Sequence, residues 1–135
     1  MNTYLVAAGT LAFLVGLVHS VLGEVLLFRR LRQGGLIPTA GAPLLEERHV
    51  RILWATWHVV TVLGWCLAAV LVWLSLHDSQ RVDFLFVKHA IVAATLTSSA
   101  LVLVGTKARH PGWLGLLCVA ALVGLDAAAQ PHMRP

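Results

Sequence analysis

Polar positions in this chain do not alternate with apolar ones; they collect in short clusters that separate four long apolar runs, at about 3–28, 52–76, 84–106 and 111–129. At roughly 1.5 Å per residue, each run predicts a helix able to cross about 30 Å of hydrocarbon. The second helix is expected to start earlier, near residue 45, because Leu45, Glu46, Glu47, Arg48 and His49 suit a helix that begins at a membrane interface. There Glu46 and Glu47 lie near its positive N-terminus. The pattern predicts an all-α fold: a four-helix transmembrane bundle, up-down-up-down, in one integral membrane domain over 1–135. The helices run at about 3–28, 45–76, 84–106 and 111–129, with a cytoplasmic loop at 29–44.

Punctuation between the runs supports that division. Gly34, Gly35, Pro38, Gly41 and Pro43 mark the long loop as turn-rich, and Pro111 is placed for the first turn of the last helix. Gly9, Gly16 and Gly23 recur every seven residues in the first run. Small residues on one helix face permit close approach where van der Waals packing drives association, so these three predict a packing seam. The first run lacks a basic start and stays apolar for about 26 residues, beyond the roughly 7–15 of a secretory signal, so it is expected to remain as a helix.

Composition strengthens the membrane reading. With 59% hydrophobic and 12% charged residues and a mean hydropathy of +0.82, the chain is too apolar for an ordinary soluble domain. Cys66 and Cys118 sit in the middle of apolar runs without a CxxC pattern and are expected to be small buried apolar residues.

Charge then sets orientation. Arg29, Arg30, Arg32, Arg48, Arg51, Lys107 and Arg109 flank one side of the predicted helices, and Arg81, Lys88 and Arg134 the other. The bias places the Arg-rich loops in the cytoplasm and both termini outside, as in a multi-pass protein of the bacterial inner membrane. The pI of about 9.8 reflects that bias and anionic lipid headgroups. No basic stripe interleaved with aromatics points to nucleic acid; the expected partners are the lipid bilayer and a homodimer or larger membrane complex.

The candidate chemistry lies where ionisable residues interrupt apolar runs, because such residues are costly in a membrane unless paired. Ser20 and Glu24, four apart, share a face of the first helix beside Gly23, whereas His19 lies about 140° around from Glu24. From the cytoplasmic side, Glu24 is about 7.5 Å deep, His58 about 10 Å and His19 about 15 Å at helical rise. His58 therefore falls between the other two on an antiparallel neighbour, and Arg51 and His58 are the expected partners of Glu24, with Thr61 as a further polar neighbour. Near the outer side, Lys88 and Asp126 reach similar depths on antiparallel helices and predict an ion pair, with His89 next to it. Thr95, Thr97, Ser98 and Ser99 form a hydroxyl-rich stretch expected to bond helix carbonyls or neighbours.

The first cluster is expected to bind a metal ion or haem, with a structural or assembly subunit and a small proton-coupled transporter as the alternatives. His19, Glu24 and His58 can supply a metal centre, with zinc or iron suited to imidazole and carboxylate ligands. His19 and His58 can be axial ligands of haem b, with Arg51 or Arg29 near the propionates. Arg51 can instead neutralise Glu24 in a structural or assembly subunit. Finally, the chain resembles the small multidrug resistance transporters in size and in one acidic residue of the first helix, which implies proton exchange for cationic substrates at Glu24. It departs from them in its Arg asymmetry, additional histidines and long first loop.

A second resemblance covers the first half of the chain. His19, Ser20, Gly23 and Glu24, then a Pro- and Gly-containing loop, then Arg51, Trp57, His58 and Thr61, are similar to a family of small, uncharacterised bacterial four-helix inner-membrane proteins. The resemblance implies the same architecture and singles out the same cluster without supplying a reaction.

Overall fold

The computed structural model describes residues 1–41, 45–77 and 84–129. Among them are four α-helices and no strand: α1 Thr3–Leu26, α2 Glu47–Leu76, α3 Leu85–Gly105 and α4 Gly112–Ala128, with a 3₁₀ turn at Phe28–Leu31 after α1. Pro43, Arg81, Arg134 and the expected 130–135 tail lie outside the described residues. Three spans, Thr3–Leu31, Glu47–Leu76 and Leu85–Gly105, are long and apolar enough to cross a membrane. The expectation of four such spans is corrected at α4. It is an apolar helix of 17 residues, about 25 Å at helical rise, one residue shorter at each end than the run read from the pattern.

The chain divides into two compact units, one of Met1–Val15 with the described residues from Cys66 onward, the other of Gly16–Trp65. The core of the first is small and dry: Leu5, Ala8, Ala12, Ala68, Leu71, Leu74, Ile91, Val119 and Val123 form one buried cluster. Gly9 lets α1 approach α2 there, since a methyl on it would sit 3.0 Å from both the Ala68 carbonyl oxygen and a Val72 methyl. On α3, Thr95 donates to the Ile91 carbonyl of its own helix at 2.7 Å, while Ser99 donates to the Trp113 carbonyl of α4 at 2.7 Å. The hydroxyls are thus spent on backbone, as expected, and Thr97 and Ser98 face outward.

The same unit holds a buried polar group. Lys88 Nζ lies 2.7 Å from Asp126 Oδ2, with both side chains buried to 1% exposure or less. The expected pair is therefore present, but Lys88 does not snorkel outward, and His89 is exposed rather than joined to it. Asn2 joins the group. Its Oδ1 accepts the backbone N–H groups of Tyr4 and Leu5, capping α1, and its Nδ2 donates to Asp126 Oδ1.

Cys66 and Cys118 are free thiols and exposed, which corrects the expectation of burial. In an apolar helix the outward face is as apolar as the inward one, so a small apolar residue gives no clue to which face it occupies.

The link from α3 to α4 ends α3 in a Schellman arrangement: Ala108 N–H bonds the Leu103 carbonyl at 2.8 Å and Lys107 N–H the Val104 carbonyl at 3.1 Å. Both Lys107 and Ala108 are left-handed, with φ of 51° and 61°, where side-chain-bearing residues are disfavoured. Ala108→Gly is expected to raise stability by about 0.5–1 kcal/mol, the relieved strain exceeding the added freedom of the unfolded chain. Thermal unfolding in mild detergent reads this; an unchanged or lower midpoint contradicts it.

Candidate functional site

The second unit contains the polar residues of the first cluster. Here α1 and α2 run antiparallel and close: Gly16 faces the Trp65 indole and Gly23 the Trp57 indole, and a Cβ at Gly23 would overlap the indole ring. The heptad glycines thus serve as the packing seam expected of them. Because Gly23 leaves that space, Trp57 Nε1 reaches the backbone of α1 and donates to the His19 carbonyl at 3.1 Å. The indole also stacks on the His19 ring, centroids 4.3 Å apart and planes within 7°, and takes the edge of buried Phe28 at 5.7 Å.

One residue further along each helix the chemistry changes. Ser20 Oγ lies 2.8 Å from His58 Nδ1, a hydrogen bond in which either atom is donor depending on the imidazole tautomer. On the other side of the ring, His58 Nε2 is 3.9 Å from Glu24 Oε2, close enough for charge interaction but too long for a direct hydrogen bond. Ser20 and Glu24, one turn apart, therefore flank the two nitrogens of one histidine, Ser20 through a hydrogen bond and Glu24 at charge-interaction distance. The i,i+4 spacing made this face predictable.

Arg51 is not the partner of Glu24. It pairs with Glu47 one turn earlier on α2, Nε to Oε1 at 2.7 Å, at an exposed position. An i,i+4 partner on the same helix is reached without any tertiary constraint and wins. Glu24 instead pairs with Arg32, whose Nη1 meets Oε1, while Arg32 Nε donates to the Leu36 carbonyl at 2.6 Å. The 3₁₀ turn and the bonds from Thr39 and Ala40 N–H to the Leu31 carbonyl fold the chain back and bring Arg32 within reach. In the sequence Arg32 stands with Arg29 and Arg30 at the end of the first apolar run, and nothing in its local pattern separates it from them.

The remaining expected members are placed apart from the Glu24–His58 pair. Thr61 is buried, and its hydroxyl contacts its own helix at the Trp57 carbonyl, 3.5 Å away. His19 and His58 turn to different neighbours, one to the face of Trp57 and the other to Ser20 and Glu24. No group of three or more His, Cys, Asp or Glu side chains converges as a metal-binding set among the described residues. His58 is also flanked by Trp54, at 5.0 Å between centroids and 71° between planes. The Trp54 Nε1 and His58 Nε2 atoms are buried without a hydrogen-bond partner among the described residues.

Chemically, the arrangement is a chain of exchangeable groups. If Ser20 donates to Nδ1, neutral His58 carries its proton on Nε2, towards Glu24. If Nδ1–H donates to Ser20, a lone pair on Nε2 faces Glu24 and can accept a proton from it. Comparison of the chain with protein-family models, with curated proteins and with solved structures finds no match.

Proposed function

We propose that the chain is a multi-pass four-helix bundle of the bacterial inner membrane, with Arg-rich loops in the cytoplasm, in which Glu24 and His58 exchange protons as the coupling site of a small cation transporter. The observation that carries this reading is the connected series Arg32, Glu24, His58 and Ser20 within one unit. Ionisable groups inside a membrane-length segment are costly and default to function. An imidazole hydrogen-bonded to a hydroxyl at one nitrogen, with a carboxylate 3.9 Å from the other, can take a proton on one side while giving one up on the other.

The series also supplies a means of coupling. Arg32 joins the Glu24 carboxylate to the Leu36 carbonyl in the following loop. A proton arriving on Glu24 removes the charge that holds the guanidinium, and the loop at Leu36 is released with it. A cation entering beside the ionised carboxylate competes with Arg32 in the same way. Protons and cations are then alternative occupants of one charge, which is the requirement for exchange.

The test is uptake of ethidium into vesicles containing the purified protein, driven by an imposed pH gradient, with a trapped pH dye reporting the opposing proton flux. Glu24→Gln is expected to abolish both fluxes and His58→Ala to slow them at least ten-fold, with the protein still monodisperse. Fluxes equal to those of protein-free vesicles, or unaffected by Glu24→Gln, overturn the proposal. Near-stoichiometric zinc or iron, or a Soret band, lost on His19→Ala with His58→Ala, would support the metal or haem b reading instead.

A further inference from the structure

We propose that the loop at residues 32–38 anchors the chain to anionic lipid: Leu36 and Ile37 enter the edge of the bilayer while Arg29 and Arg30 bind lipid phosphates beside them. The loop is built rather than slack. Thr39 and Ala40 N–H both donate to the Leu31 carbonyl, at 3.0 and 2.9 Å, so its two ends are pinned together at the last residue of the 3₁₀ turn. Buried Pro38 closes it, and Gly34 turns it through a left-handed φ of 86°, with open space where a side chain would stand. The apolar residues between them are left outside, Leu36 at 78% exposure and Ile37 at 37%.

Depth decides what these two residues face. Glu24 lies within the span Thr3–Leu31, which is long and apolar enough to cross a membrane. One guanidinium, that of Arg32, meets both the Glu24 carboxylate and the Leu36 carbonyl. The backbone at Leu36 is therefore folded back beside the end of α1, at the level of Glu24, instead of running on into water. An exposed apolar pair at that level meets lipid, and burying it there is favourable. Charge selects which lipid. Residues 28–41 hold three arginines and no carboxylate. Arg32 is engaged by Glu24, whereas Arg29 and Arg30 are exposed and make no ion pair among the described residues. A second copy on this face would set like charges together, but a leaflet carrying anionic headgroups complements them. Anchoring requires that α1 cross the bilayer, as in the function proposed above, but not that Glu24 exchange protons.

The experiment attaches an environment-sensitive fluorophore to Leu36→Cys in a Cys66→Ala, Cys118→Ala background of the full chain. The protein is reconstituted into vesicles of phosphatidylcholine alone or mixed with phosphatidylglycerol, with iodide on both sides as the aqueous quencher and lipid brominated near the headgroup as the membrane quencher. In the mixed vesicles the label is expected to be quenched by brominated lipid, and by iodide at least five-fold less than the same fluorophore on free cysteine. Adding Arg29→Gln with Arg30→Gln, or leaving out phosphatidylglycerol, is expected to raise iodide quenching at least three-fold. If Leu36→Cys does not fold, Ile37→Cys carries the label instead. A label open to iodide in both kinds of vesicle overturns the anchor, and so does one shielded from iodide but untouched by brominated lipid, which is packed against protein. Shielding that ignores both arginines and phosphatidylglycerol overturns the recognition of anionic lipid. No gradient is imposed, so ethidium exchange can fail while the anchor holds, and the reverse.

Discussion

Replacing Lys88 by methionine is expected to cost about 3–5 kcal/mol of stability. The ammonium is fully buried, 2.7 Å from a carboxylate that is itself 1% exposed. After substitution, among the described residues Asp126 keeps the Asn2 amide, which supplies one hydrogen bond and no charge. The carboxylate must then take up a proton or admit water into a cluster of valine, leucine and alanine. The double variant Lys88→Met with Asp126→Leu removes both charges and is expected to recover most of the loss, because a paired buried charge contributes little beyond its own desolvation. Denaturation in mixed micelles measures the cycle. A single variant within 1 kcal/mol of wild type would mean that the pair is solvated and the burial argument is wrong.

Gly23→Ala is the second large effect, about 1–3 kcal/mol, from one added methyl group. The Cβ would overlap the Trp57 indole, which has little freedom to retreat. It is stacked on His19, edged by Phe28 and hydrogen-bonded through Nε1 to the His19 carbonyl. Moving it breaks that bond and leaves a buried carbonyl and a buried indole N–H with less than full pairing. The mechanism predicts strong non-additivity. In a Trp57→Leu background, adding Gly23→Ala is expected to cost under about 0.5 kcal/mol, since the obstructing ring is gone. Equal costs in both backgrounds, read by the same unfolding transition, would place the effect in the helix backbone instead.

The helices were legible because apolar length is a one-dimensional property: the observed ends of α1, α2 and α3 fall within two residues of those read from the pattern. The face shared by Ser20 and Glu24, and the separation of His19 from it, followed from helical geometry alone. Partners across space were less accessible. Arg32 was hidden among three neighbouring arginines, and only a 3₁₀ turn, for which the sequence carries no strong signal, selects it for Glu24. Asn2 could have been found, since an asparagine directly before a helix is a cap signal. Its second bond to Asp126 spans 124 positions of sequence and could not. The exposure of Cys66 and Cys118 was illegible for a different reason: where both faces are apolar, composition does not say which one is inward.

The unequal helices have a consequence for the lipid. At helical rise, the 30 residues of α2 extend about 45 Å and the 17 of α4 about 25 Å, on either side of a hydrocarbon thickness near 30 Å. In a bilayer, α2 would have to lean or lift its first turns, with Glu47 and Arg51, into the headgroup layer, while α4, if it crossed at all, would draw the acyl chains inward around its ends. One chain then makes opposite demands on its solvent, so longer acyl chains relieve α2 at the expense of α4 and shorter ones do the reverse. If both helices lie in a membrane, its thickness cannot suit the two lengths at once, and lipid composition becomes a variable of the fold.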